Sequence, residues 1–157
     1  MFFYLFWSLI FIVALWLSWC MSAADFRRRI IPDAYLFPLF LIGLLTVTFF
    51  PYWICSVRDG VIGSILGYIL GAGIGFIFDK INRHKNPNSE TPIGMGDIKL
   101  LATGGLWLGT NGLAVALVIA CILGGIWGGC KKQKFIPFAP FFIIGAILAL
   151  IATAFLI

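Results

Sequence analysis

The sequence predicts an all-α, polytopic membrane protein with six transmembrane helices, folded as a single domain over residues 1–157. Three observations carry this. Of the residues, 62% are hydrophobic and only 11% charged, whereas a soluble domain is about half apolar and about a quarter charged. A soluble core needs only one apolar face of each element, so the excess fits contact with lipid. The apolar runs approach the roughly 20 residues that cross about 30 Å of hydrocarbon, and short polar breaks separate them. Lysines and arginines, finally, collect in alternate breaks.

The first run, 2–24, is longer than the apolar region of a signal peptide and follows no basic segment, so it reads as an uncleaved span. A second run covers 34–53. The third, 60–78, carries Gly63, Gly67, Gly71 and Gly75, one every four residues, which lets a neighbouring helix approach closely. The fourth, 97–110, is short; it either crosses a thinned region or turns back as a re-entrant hairpin. The fifth, 112–130, repeats the small-residue device with Gly124, Gly125, Gly128 and Gly129. The sixth is 138–157. The polar loop at 80–96, with two prolines and three asparagines, is long for so compact a chain and suggests function.

If all six runs cross, ten of the eleven basic residues face one side and only Arg58 faces the other. If the fourth run turned back, the Lys131, Lys132 and Lys134 cluster would change sides. Positive charge marks cytoplasmic loops, so the pattern favours six crossings with both termini outside. The net charge of +5 is thereby assigned to loops at a lipid bilayer and not to nucleic-acid binding. The four cysteines form no CxxC pair, so zinc or a disulfide framework is not expected. No metal or cofactor is expected at all.

The chain has six acidic residues: Asp25, Asp33, Asp59, Asp79, Glu90 and Asp97. All but Asp59 fall at or beyond the cytoplasmic ends of the predicted spans. Asp25 closes the first span and Asp97 opens the fourth, so the two reach one membrane depth on different helices. An acid at the edge of a bilayer helix is costly and points to function. Two close carboxylates cannot readily both ionise, which suits them as acid and base towards water. Simpler roles compete: Asp97 as the N-cap of the fourth helix and Asp33, after Pro32, as the N-cap of the second. A cap alone does not require Gly94 and Gly96 before it. Glycines there permit a positive φ and close approach by another backbone, as an extended peptide would need.

These residues also carry a resemblance. The segment "GMGDIKLLATGGLWLG", from Gly94, resembles the GxGD segment of type IV prepilin peptidases, which are aspartyl proteases of the membrane. "DFRRRIIPD", from Asp25, is similar to that family's first aspartate segment. "IPFAPF", residues 136–141, resembles a third, usually written with glycine where Ala139 stands. The resemblance implies that Asp25 and Asp97 are the catalytic pair, and that Gly94, Gly96, Asp33 and Lys99 are motif positions shaping substrate access. It implies cleavage of the basic leader of a prepilin-, pseudopilin- or preflagellin-like protein. That cleavage would occur at the cytoplasmic face of a bacterial or archaeal cell membrane.

Many members of that family also methylate their product and carry a cysteine-paired region. No CxxC is present here, so the expectation is the compact, peptidase-only branch without methyltransferase activity. The sequence leaves the oligomeric state undefined. The alternative function is a small transporter or channel subunit using the aspartates as ion or proton sites, which would place acids near mid-span.

Overall fold

A computed structural model describes residues 2–50, 54–85, 93–131 and 136–156. Glu90, Lys132, Lys134 and residues 86–92 of the polar loop lie outside the described residues, as do the side chains of Arg83 and Lys85. The described chain forms five helices: α1 (Phe2–Arg28), α2 (Asp33–Phe49), α3 (Val57–Lys85), α4 (Met95–Lys131) and α5 (Phe138–Leu156). Three are long and apolar enough to cross a membrane: Leu5–Arg28, Val57–Asn82 and Met95–Lys131. Asp33–Phe49 and Phe138–Thr153 are apolar but shorter.

The sequence predicts two helices where α4 runs as one element of 37 residues. A straight helix of that length would measure about 55 Å, well beyond the hydrocarbon thickness. It is not straight. Gly109 has φ 69 and ψ −173, outside the helical region. This is the left-handed side of backbone space, where a Cβ is penalised, and glycine is the residue that enters it freely.

Packing shows that the chain doubles back there. Before the break, Gly63, Gly67 and Gly71 of α3 lie directly against Gly105, Leu101 and Ile98 of α4, in antiparallel order. After it, Gly128 and Gly124 face Ile136 and Phe141, and Ala116 faces Gly145 of α5, again antiparallel. The start of α4 touches Ile31 through Gly96. Its far end brings Trp127 to Phe26, ring centroids 5.6 Å apart. Both ends of α4 therefore sit at one end of the bundle, with Gly109 at the other.

The turn at Gly109 is held from α3. Asp59 accepts hydrogen bonds from the Thr110 backbone N–H at 3.3 Å and the Thr110 hydroxyl at 2.7 Å. It thus supplies from a distance the cap that the second segment of α4 needs at its N-terminus. Beside it the Cys55 thiol donates to the carbonyls of Leu106 and Trp107. Burial and the Asp59 carboxylate push this thiol up to about 11, so it stays protonated at neutral pH.

The glycine stripe predicted on the third span is the seam between α3 and α4. In the later cluster Gly124 and Gly128 serve packing, whereas a Cβ at Gly125 or Gly129 would meet none of the described residues within 4 Å. Trp107 fills the space above Gly43 of α2 and donates its Nε1–H to the Leu39 carbonyl at 3.0 Å. The core between α1, α2, α4 and α5 is built from Leu17, Met21, Leu36, Leu39, Leu100, Leu101 and Phe142. The outer surface is aliphatic and aromatic, with Trp16, Trp19, Phe76 and Ile126 all exposed. That is what a bundle bathed in lipid presents.

Candidate active site

Asp25 lies in the last turn of α1 and is only 5% exposed. Its Oδ2 accepts the backbone N–H of Ala139 at 2.8 Å, and the backbone of Phe138 and the charge of Arg29 also act on it. Ala139 belongs to the first turn of α5, whose N–H groups have no partners within their own helix. A buried carboxylate and an orphaned helix terminus thus satisfy each other across α1 and α5. The chain closes α1 tightly behind Asp25. The Arg29 N–H donates to the Asp25 carbonyl at 2.8 Å, and Arg29 itself takes a positive φ of 54. Ile30, Ile31 and Pro32 then lead directly into α2.

Asp97 stands in the first turn of α4, partly buried. The helix begins at Met95, so Gly94 occupies the capping position and Asp97 is the third helical residue. The expected N-cap role is therefore corrected: Asp97 does not precede the helix. Its Oδ2 instead reaches back to accept the Gly94 N–H at 3.2 Å, one half of a capping box. The negative charge of Asp25 acts on Asp97 from α1.

The other motif positions resolve differently. Neither Gly94 nor Gly96 has positive φ; among the described residues that is confined to Arg29 and Gly109. A Cβ on Gly96 would lie 2.8 Å from the Cβ of Ile31, closer than real side chains come. A Cβ on Gly94 would meet Asp97 Oδ2 at an ordinary 3.5 Å. Asp33 is not the N-cap of α2. That position is Pro32, with extended backbone and no side-chain cap. The Asp33 carboxylate is instead engaged by Lys99, whose Nζ lies 2.8 and 2.7 Å from its two oxygens. The competing partner is a cation on another helix, invisible to a local reading.

Sequence reasoning did not assign a role to Ile31 or to the Ala139 N–H. The predicted sixth span starts at 138, but nothing in the sequence says that Asp25 would cap it. Among the described residues, no group of three or more His, Cys, Asp and Glu side chains is arranged to hold a metal ion.

An all-helical bundle with apolar outer faces and two interacting carboxylates at one rim defines a class of membrane proteins with an acidic pair at helix ends. Mid-span acids, as the transporter reading required, are not what Asp25 and Asp97 provide. Residues 3–129 match the type IV leader peptidase family, and the chain belongs to that family. It is 30% identical over 150 residues to the prepilin leader peptidase/N-methyltransferase of Aeromonas salmonicida (strain A449), covering 89% of this chain and 49% of that protein. It is 33% identical over 132 residues to the protein of the same name from Burkholderia pseudomallei (strain 1026b), covering 80% and 40%. A third such protein, from Dichelobacter nodosus, is 31% identical over 137 residues, covering 83% and 45%. The chain spans about half the length, or less, of these relatives. No solved structure matches it significantly.

Proposed function

We propose that this chain is a leader peptidase for prepilin-like proteins, an aspartyl endopeptidase whose catalytic pair is Asp25 and Asp97. The observation that carries the reading is the pair itself. The two acids come from separate helices at one end of the bundle, within charge–charge reach, in a chain of the leader peptidase family. One carboxyl group carries a proton while the other is ionised, because adjacent like charges oppose double ionisation. The ionised carboxylate takes a proton from a water molecule as its oxygen adds to the scissile carbonyl carbon. The protonated partner gives its proton to the carbonyl oxygen. Collapse of the resulting gem-diol breaks the C–N bond, with a proton delivered to the leaving nitrogen.

The same proposal includes the membrane frame. Six crossings, counting the two segments of α4 separately, put Asp25 and Asp97 at the face that carries Arg27, Arg28, Arg29 and Lys131, the cytoplasmic face by the distribution of positive charge. Both termini then lie outside. The substrate is a protein whose basic leader precedes a hydrophobic segment. The relatives' names join peptidase to N-methyltransferase; for these 157 residues we propose the peptidase activity alone, since they contain no CxxC pair.

The test is direct. The purified chain is incubated in detergent or vesicles with a prepilin-like protein, and leader loss is followed on a gel. Asp25→Asn and Asp97→Asn should each reduce cleavage at least about a thousandfold while the protein remains folded, since removing a member of an acting pair removes most of its effect. Substantial cleavage by either variant would overturn the assignment.

A further inference from the structure

We infer that the Asp33–Lys99 ion pair is a positioning clamp that turns Asp97 towards Asp25. The inference rests on the peptidase reading above and deepens it. Lys99 follows Asp97 by two residues, so the two side chains leave α4 on nearly opposite faces, about 200° apart around the helix. Asp97 faces α1. Lys99 faces α2 and holds both oxygens of Asp33 at 2.8 and 2.7 Å. The first turn of α4 is thus gripped from the side away from the catalytic pair.

That turn needs an external grip. It contains Gly96 and is preceded by Gly94, and glycine has the poorest helix propensity apart from proline. Its first N–H groups, of Asp97 and Ile98, share the Gly94 carbonyl at 3.1 and 3.4 Å, the second at the long end of hydrogen-bond range. Two contacts from one short segment oppose fraying and rotation. Ile31 seats on Gly96, and Asp33, two residues later, binds Lys99.

The segment that supplies both contacts begins at Asp25. Asp25 ends α1, Arg29 closes the helix, and Ile31 and Asp33 follow directly. A chain of links results that runs from Asp25 through the α1–α2 connection, Asp33, Lys99 and half a helical turn to Asp97, which feels the charge of Asp25. The ion pair is the polar link in this series, beside the apolar contact of Ile31 with Gly96. Both its side chains are substantially exposed, at 64% for Asp33 and 41% for Lys99. Exposed pairs add little to global stability, so this one acts on geometry and leaves the thermal midpoint almost unchanged.

A charge-swap cycle tests this. Asp33→Asn, Lys99→Met and the double exchange Asp33→Lys with Lys99→Asp are purified alongside wild type and Asp97→Asn, and kcat and KM for leader removal are measured. Each single variant should lose about tenfold or more in kcat with KM within about twofold, since misplacing a reacting group by about 1 Å can cost about a hundredfold. Thermal midpoints should stay within a few degrees. The exchanged pair should recover to within about threefold of wild type. Single variants at wild-type kcat would overturn the inference. So would an exchanged pair as slow as the single variants with the protein folded, because Lys99 would then act on substrate directly. Asp97→Asn separates the two levels: if it still cleaves, the catalytic assignment fails; if it is inactive while the swap fails, only the clamp does.

Discussion

The two motif glycines predict unequal sensitivity, and Gly96 is the sharper case. In Gly96→Ala the new Cβ would stand 2.8 Å from the Cβ of Ile31 and 3.4 Å from its carbonyl oxygen. Carbon atoms in good contact sit about 3.5–4.0 Å apart, so about 0.7–1.2 Å of movement is required. Ile31 is buried and continuous with the start of α2, so it cannot simply swing aside. Overpacking of this kind costs about 1–3 kcal/mol, partly offset by about 0.5–1 kcal/mol from replacing a helical glycine. The net cost to stability is then at most about 2.5 kcal/mol, and the shift falls on the turn that carries Asp97. Displacement of a reacting group by about 1 Å can cost about a hundredfold in rate. Gly94→Ala meets only an ordinary contact at 3.5 Å and should lose less than about threefold. The assay is single-turnover leader removal, normalised to folded protein. A third variant joins Gly96→Ala to Ile31→Gly, which removes the Cβ at 2.8 Å and should restore at least about tenfold of the loss, a coupling expected only of residues in contact. Wild-type cleavage by Gly96→Ala, equal damage in Gly94→Ala, or no rescue by Ile31→Gly would each refute the reasoning.

Two further outcomes follow from the turn at the opposite end. Gly109→Ala should lower stability by about 2 kcal/mol or more, because the positive φ is penalised by about 1–2 kcal/mol and the new Cβ would strike the Asp59 carboxylate; thermal unfolding in detergent against wild type measures this. Single cysteines in a cysteine-free background should place Asn111 and Arg58 on one side of intact vesicles and Arg28 on the other, read by a charged maleimide. Labelling of Asn111→Cys and Arg28→Cys from the same side would dismiss the six-crossing frame.

The parts of this architecture that sequence reveals are those encoded at short range. Hydropathy marks the apolar helices because lipid leaves little freedom in composition, and Gly63, Gly67 and Gly71 announce a close helix seam through their spacing. The acids Asp25 and Asp97 stand out because the chain has only six acidic residues and these two close and open apolar runs at one predicted membrane face. What escapes a local reading is every assignment decided by a distant partner. Asp33 looks like a cap because it follows Pro32, and nothing nearby says that Lys99, 66 residues on, will claim its carboxylate. Asp59 looks idle in a loop until the chain turning at Gly109 brings Thr110 to it. Gly96 invites a reading as a flexible residue, whereas its backbone is unremarkable and its missing Cβ makes room for Ile31. The break between the fourth and fifth runs is visible in "GTNG", but its geometry is not.

The arrangement of the helices explains why such indirect contacts carry weight. Asp25 is borne by α1 and Asp97 by α4, yet among the described residues no Cα of α1 comes within 8 Å of a Cα of α4. The two meet only through side chains, as where Phe11 approaches Trp107 at 5.9 Å. A cavity of about 100 Å³ lies along this seam, lined by Ala14, Leu15, Leu100 and Leu108 among others. The separation of the acids is consequently set by intermediaries. On one side α2 joins them, through Ile31 on Gly96 and Asp33 on Lys99; on the other α5 does, through the Ala139 N–H on Asp25 and Phe142 against Gly104. The seam of α3 with α4 is different, because there backbone lies on backbone without slack. Substitutions that enlarge Gly63 or Gly67 must therefore break the scaffold itself, whereas changes at the α2 and α5 contacts leave it standing and alter how the acids face each other. Activity per folded molecule and folded yield should separate along that line.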